Sequence, residues 1–255
     1  MSINVFLETE YYYIEGHIFD TDLLVVVFEP AGGLDPRPSA FRLGWGVEVF
    51  RKRQKSVLAI KPKRVNWYVT PDLEQALTDL RDFFHEFDRV VTYGASMGGY
   101  GALLYADTVS AKQVFAFSPQ STLDPSKIVD RRFPRAENWD FTTALGDVQG
   151  RFDSVQSAYI IYDKNAPMDY IHVRRIRQAN LVECHVPGSG HSSIEICKAC
   201  GALQMIVQSI ISGSFDQRIF AKLLRKRKAL AQYRQEVSKQ WNRRSLRLSR
   251  DQNFP

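Results

Sequence analysis

Residues 88–106 read DRVVTYGASMGGYGALLYA, and the fold is decided by how this stretch is read. At its centre, Gly94-Ala95-Ser96-Met97-Gly98 fits the pattern G-x-S-x-G. Before it, Arg89-Val90-Val91-Thr92-Tyr93 is β-branched and aromatic, which predicts a strand. After it, Tyr100–Ala106 is small and apolar, which predicts a buried helix. A strand running through a sharp turn into a helix holds the apical serine in a strained conformation and lifts its hydroxyl above the sheet edge. Gly94 and Gly98 have no Cβ, so strand and helix can pass closely.

The flanking sequence extends this unit into a larger pattern. Ile3–Leu7 and Tyr11–Phe19 predict an opening antiparallel pair. Leu23–Phe28 is continuously apolar, as suits a strand covered on both faces, and Glu29-Pro30-Ala31-Gly32-Gly33 ends it. A helix over Trp45–Arg53 and a strand over Ser56–Ile60 follow. Asp72–Phe87 carries a helical stripe of Leu73, Ala76, Leu77, Leu80, Phe83, Phe84 and Phe87. Beyond the serine turn, strands are expected over Lys112–Phe117, Ala158–Tyr162 and Leu181–Val186. Helices are expected over Tyr170–Gln178 and Ile194–Ile211. The β-α alternation predicts an α/β class protein: a doubly wound, mostly parallel sheet of about eight strands. Residues 121–157 are polar and irregular, which reads as a lid or insertion. The division expected is a domain over 1–215 and a basic helical extension over 216–255.

Composition narrows the classes. The chain has 255 residues, enough for one large domain. No apolar run approaches the ~20 residues that span a bilayer. The first residues, MSINVFLETEYYY, lack the features of a signal peptide. Three cysteines do not make a disulfide framework, so a reducing, cytoplasmic setting is expected. Cys197 and Cys200 lack the second pair of a zinc site and read as buried helical thiols. The net charge of +6 is concentrated at one end: residues 216–255 carry +9 and residues 1–215 carry −3. The basic segment reads first as a helix with solvated charges, packed on the body. Binding to an anionic surface or docking to a protein partner are the other readings. Tyr233 and Trp241 are too sparse for base stacking, so no strong nucleic-acid signal exists.

A serine hydroxyl becomes a nucleophile when a base takes its proton and a third group orients that base. His191, in the glycine-rich loop Val186-Pro187-Gly188-Ser189-Gly190-His191 after the last strand, is the expected base. His17, His85, His172 and His185 fall on predicted strands or helices. For the orienting carboxylate, Asp163 directly follows the strand Ala158–Tyr162 and is favoured. Asp169 is the alternative, and Asp124 stands third. Backbone N–H groups of Met97 and Ala31, with Gly32 as alternative to Ala31, are the expected oxyanion donors.

From Leu23 to Ile211 the chain resembles the α/β-hydrolase superfamily. Gly94–Leu103 looks like the elbow of small bacterial serine esterases and acyl hydrolases, and Pro187-Gly188-Ser189-Gly190-His191 like their histidine loop. Glu29-Pro30 stands where the family usually has His-Gly, and Tyr162-Asp163-Lys164-Asn165 where it has Gly-x-x-Asp. The resemblance implies a Ser–Asp–His triad, an acyl-enzyme intermediate, no cofactor and no metal. Its substrate would be a small-molecule or a carbohydrate- or lipid-linked acyl ester. An acyltransferase on the same triad and a non-catalytic interaction protein on the same scaffold are the other functions this sequence fits.

Overall fold

The computed structural model describes residues 5–31, 42–177 and 179–251. Its strands are β1 (Val5–Glu8), β2 (Tyr12–His17), β3 (Leu24–Phe28), β4 (Ser56–Pro62), β5 (Val90–Ala95), β6 (Gln113–Phe117), β7 (Ser157–Tyr162) and β8 (Leu181–His185). They form one mostly parallel sheet in the order β1-β2-β4-β3-β5-β6-β7-β8. The helices are α1 (Val47–Arg51), α2 (Pro71–Asp79), α3 (Arg81–His85), α4 (Met97–Leu104), α5 (Pro167–Arg175), α6 (Ser193–Ala199), α7 (Ala202–Ser212), α8 (Gln217–Leu224) and α9 (Ala231–Asp251). The chain divides into two compact units, Met1–Ile160 with His172–Glu183, and Ile161–Ile171 with Cys184–Pro255.

In the first unit, β2 pairs antiparallel with β1, as the opening aromatic runs predict, and also antiparallel with β4. β3 is parallel to β4 on one side and β5 on the other, and β5 is parallel to β6. Every residue of β3, β4, β5 and β6 is buried, and β3, covered on both faces, reads as a continuous apolar run rather than an alternating one. From β3 the chain goes to β4 on one side and returns to β5 on the other. The ends of β3 and β5 therefore flank a switch point, where ligands of open α/β sheets bind. The register sets Phe28 opposite Gly94, so the loops leaving both strands start side by side.

Three expectations are corrected. The single helix over 72–87 is two, because Leu80 leaves helical geometry (φ −87°, ψ 12°) while Leu80 and Phe84 amides keep bonding one turn back. The helix over 194–211 breaks at Gly201, whose left-handed φ of 77° ends α6, and α7 leaves at 97° to it. The basic helical extension expected over 216–255 is interrupted by a 3-10 turn at Arg225–Ala229 and extended backbone at Leu230. No single described helix is long and apolar enough to cross a membrane.

The segment 121–157 holds two 3-10 turns, Pro134–Asn138 and Ala144–Gly146, and is tied down along its length. Phe141, Leu145, Val148, Phe152 and Val155 are buried. The Tyr100 hydroxyl donates to the Leu145 carbonyl, and Asp147 pairs with Arg175. In the same unit, His172 Nδ1 accepts the Ser121 amide (3.1 Å), which leaves its Nε2–H to donate to Asp130 (3.0 Å). Burial opposes ionisation of Asp130, but hydrogen bonds from His172 and Arg132 outweigh it and hold the carboxyl well below its usual range.

Candidate active site

Ser96 lies between β5 and α4 with φ 52° and ψ −118°, outside the helical and extended regions. The close approach that imposes this turn is visible at its glycines. A Cβ on Gly94 would fall 2.1 Å from the Gly98 carbonyl oxygen, and one on Gly98 would fall 2.1 Å from that of Phe28. Both are far inside van der Waals contact, so only glycine fits. The Ser96 amide donates to the Phe117 carbonyl on the far side (2.8 Å), which anchors the turn to β6. Gln120, following β6, directs its Nε2 at Ser96 Oγ (3.4 Å). Met97 is fully buried as the first residue of α4, whose dipole adds positive potential at that end.

Glu29 follows β3, and sequence reasoning assigned it no role. Its buried carboxylate takes both arms of the Arg42 guanidinium (2.5 and 2.6 Å) and the Trp45 amide (2.9 Å). Its carbonyl accepts the Tyr68 hydroxyl (2.8 Å). Fully buried Lys61 bonds Glu15 (2.8 Å) and the Arg42 carbonyl (2.7 Å), so the arginine is held from behind. A buried ion pair specifies one loop geometry more than it adds stability. Here it fixes the chain leading into Ala31, and Gly32 lies outside the described residues.

In the second unit, His191 Nδ1 bonds Asp169 (2.9 Å to Oδ1 and 3.1 Å to Oδ2). The imidazole is about a third exposed and the carboxylate is buried. With Nδ1–H donating to the carboxylate, Nε2 keeps its lone pair, the tautomer a general base requires. The expected Asp163–His191 pairing is thus replaced by Asp169–His191. The reason is local geometry: α5 begins at Pro167, which places Asp169 in its first turn. Proline at the first helical position is a start signal present in the sequence.

Asp163 has another task. Its Oδ2 accepts from the Gly188 amide (2.9 Å), the Gly190 amide (3.0 Å) and Gln240 Nε2 (2.8 Å), and its Oδ1 accepts the Asn165 amide (3.0 Å). It shapes the loop that presents His191. Asp124 closes its own turn through Ser126.

The basic extension packs on this loop. Gly188 has φ 75°, and a Cβ there would fall 2.5 Å from the Tyr233 ring of α9. Arg227 donates to the Pro187 carbonyl (3.1 Å) and lies over the Tyr233 ring. Trp241, by contrast, is 68% exposed. The cysteines are buried thiols: burial pushes Cys184 up to about 12 and raises Cys197 and Cys200.

No family model and no curated protein matches the sequence. Solved structures do match the fold. The capsule O-acetyltransferase of Neisseria meningitidis serogroup A aligns with a TM-score of 0.54 at 15% identity, over 79% of this chain and 92% of its own. A sugar hydrolase from Lactococcus lactis aligns with a TM-score of 0.51 at 12% identity, over 83% and 99%. A chain of the glycosylation-associated protein complex from Streptococcus agalactiae aligns with a TM-score of 0.53 at 15% identity, over 80% of this chain and 46% of its own.

The fold is that of an α/β-hydrolase.

Within this fold, the serine turn of the first unit and the His191–Asp169 pair of the second follow the chain order Ser, Asp, His that the resemblance implies. Fold similarity at this identity leaves the chemistry to be argued from the residues.

Proposed function

We propose that the protein is a serine acyl hydrolase that cleaves an ester or thioester through an acyl-enzyme on Ser96. The observation that carries the reading is the forced backbone of Ser96 at the β5–α4 turn, with glycine required on both sides. Such a turn costs on the order of 1–3 kcal/mol and persists where an exposed nucleophile is needed. His191 is the general base, and Asp169 holds its tautomer and stabilises the imidazolium.

Ser96 Oγ attacks the acyl carbonyl carbon while His191 Nε2 takes its proton. The carbonyl π pair moves onto oxygen, where the Met97 and Ala31 amides receive the charge. The C–O or C–S bond then breaks, and the leaving group departs with the proton from His191. Water then attacks the acyl-enzyme as His191 takes its proton, and the acyl C–Oγ bond breaks while His191 returns that proton to Ser96 Oγ, releasing the acid. Support for the oxyanion donors is the β3–β5 register, which starts both loops side by side, and the Glu29–Arg42 brace.

Acyl transfer is the second reading, since an alcohol replaces water without altering any residue's role and a capsule O-acetyltransferase shares the fold. A fluorophosphonate probe tests the common core. It is expected to label native protein at Ser96, and neither denatured protein nor Ser96→Ala. Absence of native labelling overturns both readings. Product analysis with glycerol added then separates free acid from transferred ester.

A further inference from the structure

In the first unit a cavity of about 530 Å³ is lined by Arg64, Val65, Arg135, Asn138 and Trp139. This volume lies within the range of small-molecule sites. Its two arginines differ from four others in the unit that are held in ion pairs. Arg42, Arg132, Arg151 and Arg175 are each paired with a carboxylate: Glu29, Asp130, Glu74 and Asp147. Among the described residues, Arg64 and Arg135 have no carboxylate partner, although both are exposed.

Arg64 is nevertheless held in place. Its guanidinium lies 4.8 Å from the Tyr11 ring centroid and 4.9 Å from that of Trp139. Tyr11 meets Trp139 edge-on at 5.8 Å, and its amide bonds Asp72. Trp139 Nε1 donates to the Val65 carbonyl (2.9 Å). Stacking on rings restrains a guanidinium while leaving its N–H edge able to donate, which lowers the ordering cost of binding an anion. Asn138 adds a neutral polar group at the same wall.

The cavity wall is connected to the serine. Three residues past Arg64, Trp67 turns its ring against Phe133 (5.7 Å) and its Nε1 toward Gln120 Oε1 (3.4 Å). Gln120 is the residue directed at Ser96 Oγ.

We infer that the cavity of Arg64, Arg135, Asn138 and Trp139 is a subsite for the anionic part of the substrate, a phosphate or carboxylate on a sugar-sized polar scaffold. Arg64 and Arg135 bind the anion and Asn138 a scaffold hydroxyl. The inference names the substrate class for the acyl-hydrolase reading and rests on it.

The test is titration calorimetry on the full chain with glucose 6-phosphate, glucuronate and neutral glucose as probes. Saturable, salt-sensitive binding of an anionic probe but not glucose is expected. Arg64→Gln and Arg135→Gln should each weaken it at least tenfold with folded circular dichroism retained, and Arg81→Gln, an exposed arginine elsewhere, should not. Preference for glucose 6-phosphate assigns a phosphate, and preference for glucuronate a carboxylate. No saturable binding of either anion, or binding undiminished in the Arg64→Gln/Arg135→Gln double variant, overturns the subsite. Fluorophosphonate labelling of Ser96 is read separately, so loss of the hydrolase reading is distinguishable from loss of the subsite.

Discussion

Replacing Asp169 and Asp163 separately by asparagine should produce two different losses. Both oxygens of Asp169 lie within 3.1 Å of His191 Nδ1. Asparagine presents either its NH₂, which forces the wrong tautomer, or a neutral oxygen, which removes the charge facing a developing imidazolium. At an effective dielectric of ~20 and this separation, the lost charge interaction is about 5–6 kcal/mol, or roughly 10⁴-fold in rate. That matches the ~10⁴-fold loss typical when a triad carboxylate becomes an amide. Asp163→Asn acts on folding instead. Three donors converge on Oδ2 and one on Oδ1, and an amide keeps acceptor character at one position only. One buried donor loses its partner, at about 1–3 kcal/mol, and the remaining bonds lose their charge assistance. A stability loss of roughly 2–4 kcal/mol is expected, with acylation slowed far less than in Asp169→Asn. The assays are urea unfolding and the second-order rate of fluorophosphonate labelling at Ser96. If Asp163→Asn abolishes labelling at unchanged stability while Asp169→Asn labels normally, the assignment of the acid is wrong.

Three further outcomes are expected. Gly98→Ala should cost about 3 kcal/mol or more, measured by chemical unfolding, because its Cβ meets backbone that cannot move without parting β3 from α4; near-wild-type stability would refute the close approach. Gln240→Ala should lower stability by about 1–2 kcal/mol and slow labelling of Ser96, whereas Trp241→Ala, at an exposed neighbour, should do neither; equal effects would refute the packing of α9 on the histidine loop. Asp130 has a depressed folded pKa, so its stabilising contribution is complete above its usual value of 3.8 and is lost as pH falls below that. Asp130→Asn should therefore be less stable than wild type at pH 7 and show a flatter decline of stability below about pH 4, and parallel curves would contradict this.

Much of the fold is legible because its signals are local. A fully buried strand must be continuously apolar, and Leu24–Phe28 is. A serine turn needs glycine where backbones touch, and Gly94 and Gly98 supply it. Breaks in helices were less legible, since Leu80 sits on the apolar stripe and gives no sign of leaving helical geometry.

The serine turn, the glycine-rich loop before His191 and the α/β alternation are each written in consecutive residues, so they are legible from the sequence alone. Tertiary structure decided which donors each carboxylate meets. Asp163 stands nearest its strand, but the amides of Gly188 and Gly190 converge on it from 25 and 27 residues away, and Asp169 is the one turned to His191. Sequence distance from a strand does not record which donors the folded chain brings to an oxygen. The same holds for Glu29, whose partner Arg42 is 13 residues off, and for the basic extension, whose Tyr233 and Gln240 meet the histidine loop only once both are folded. The Ser96 turn is the contrasting case: its defining contacts lie within a few residues or on an adjacent strand, and the sequence was enough to find it.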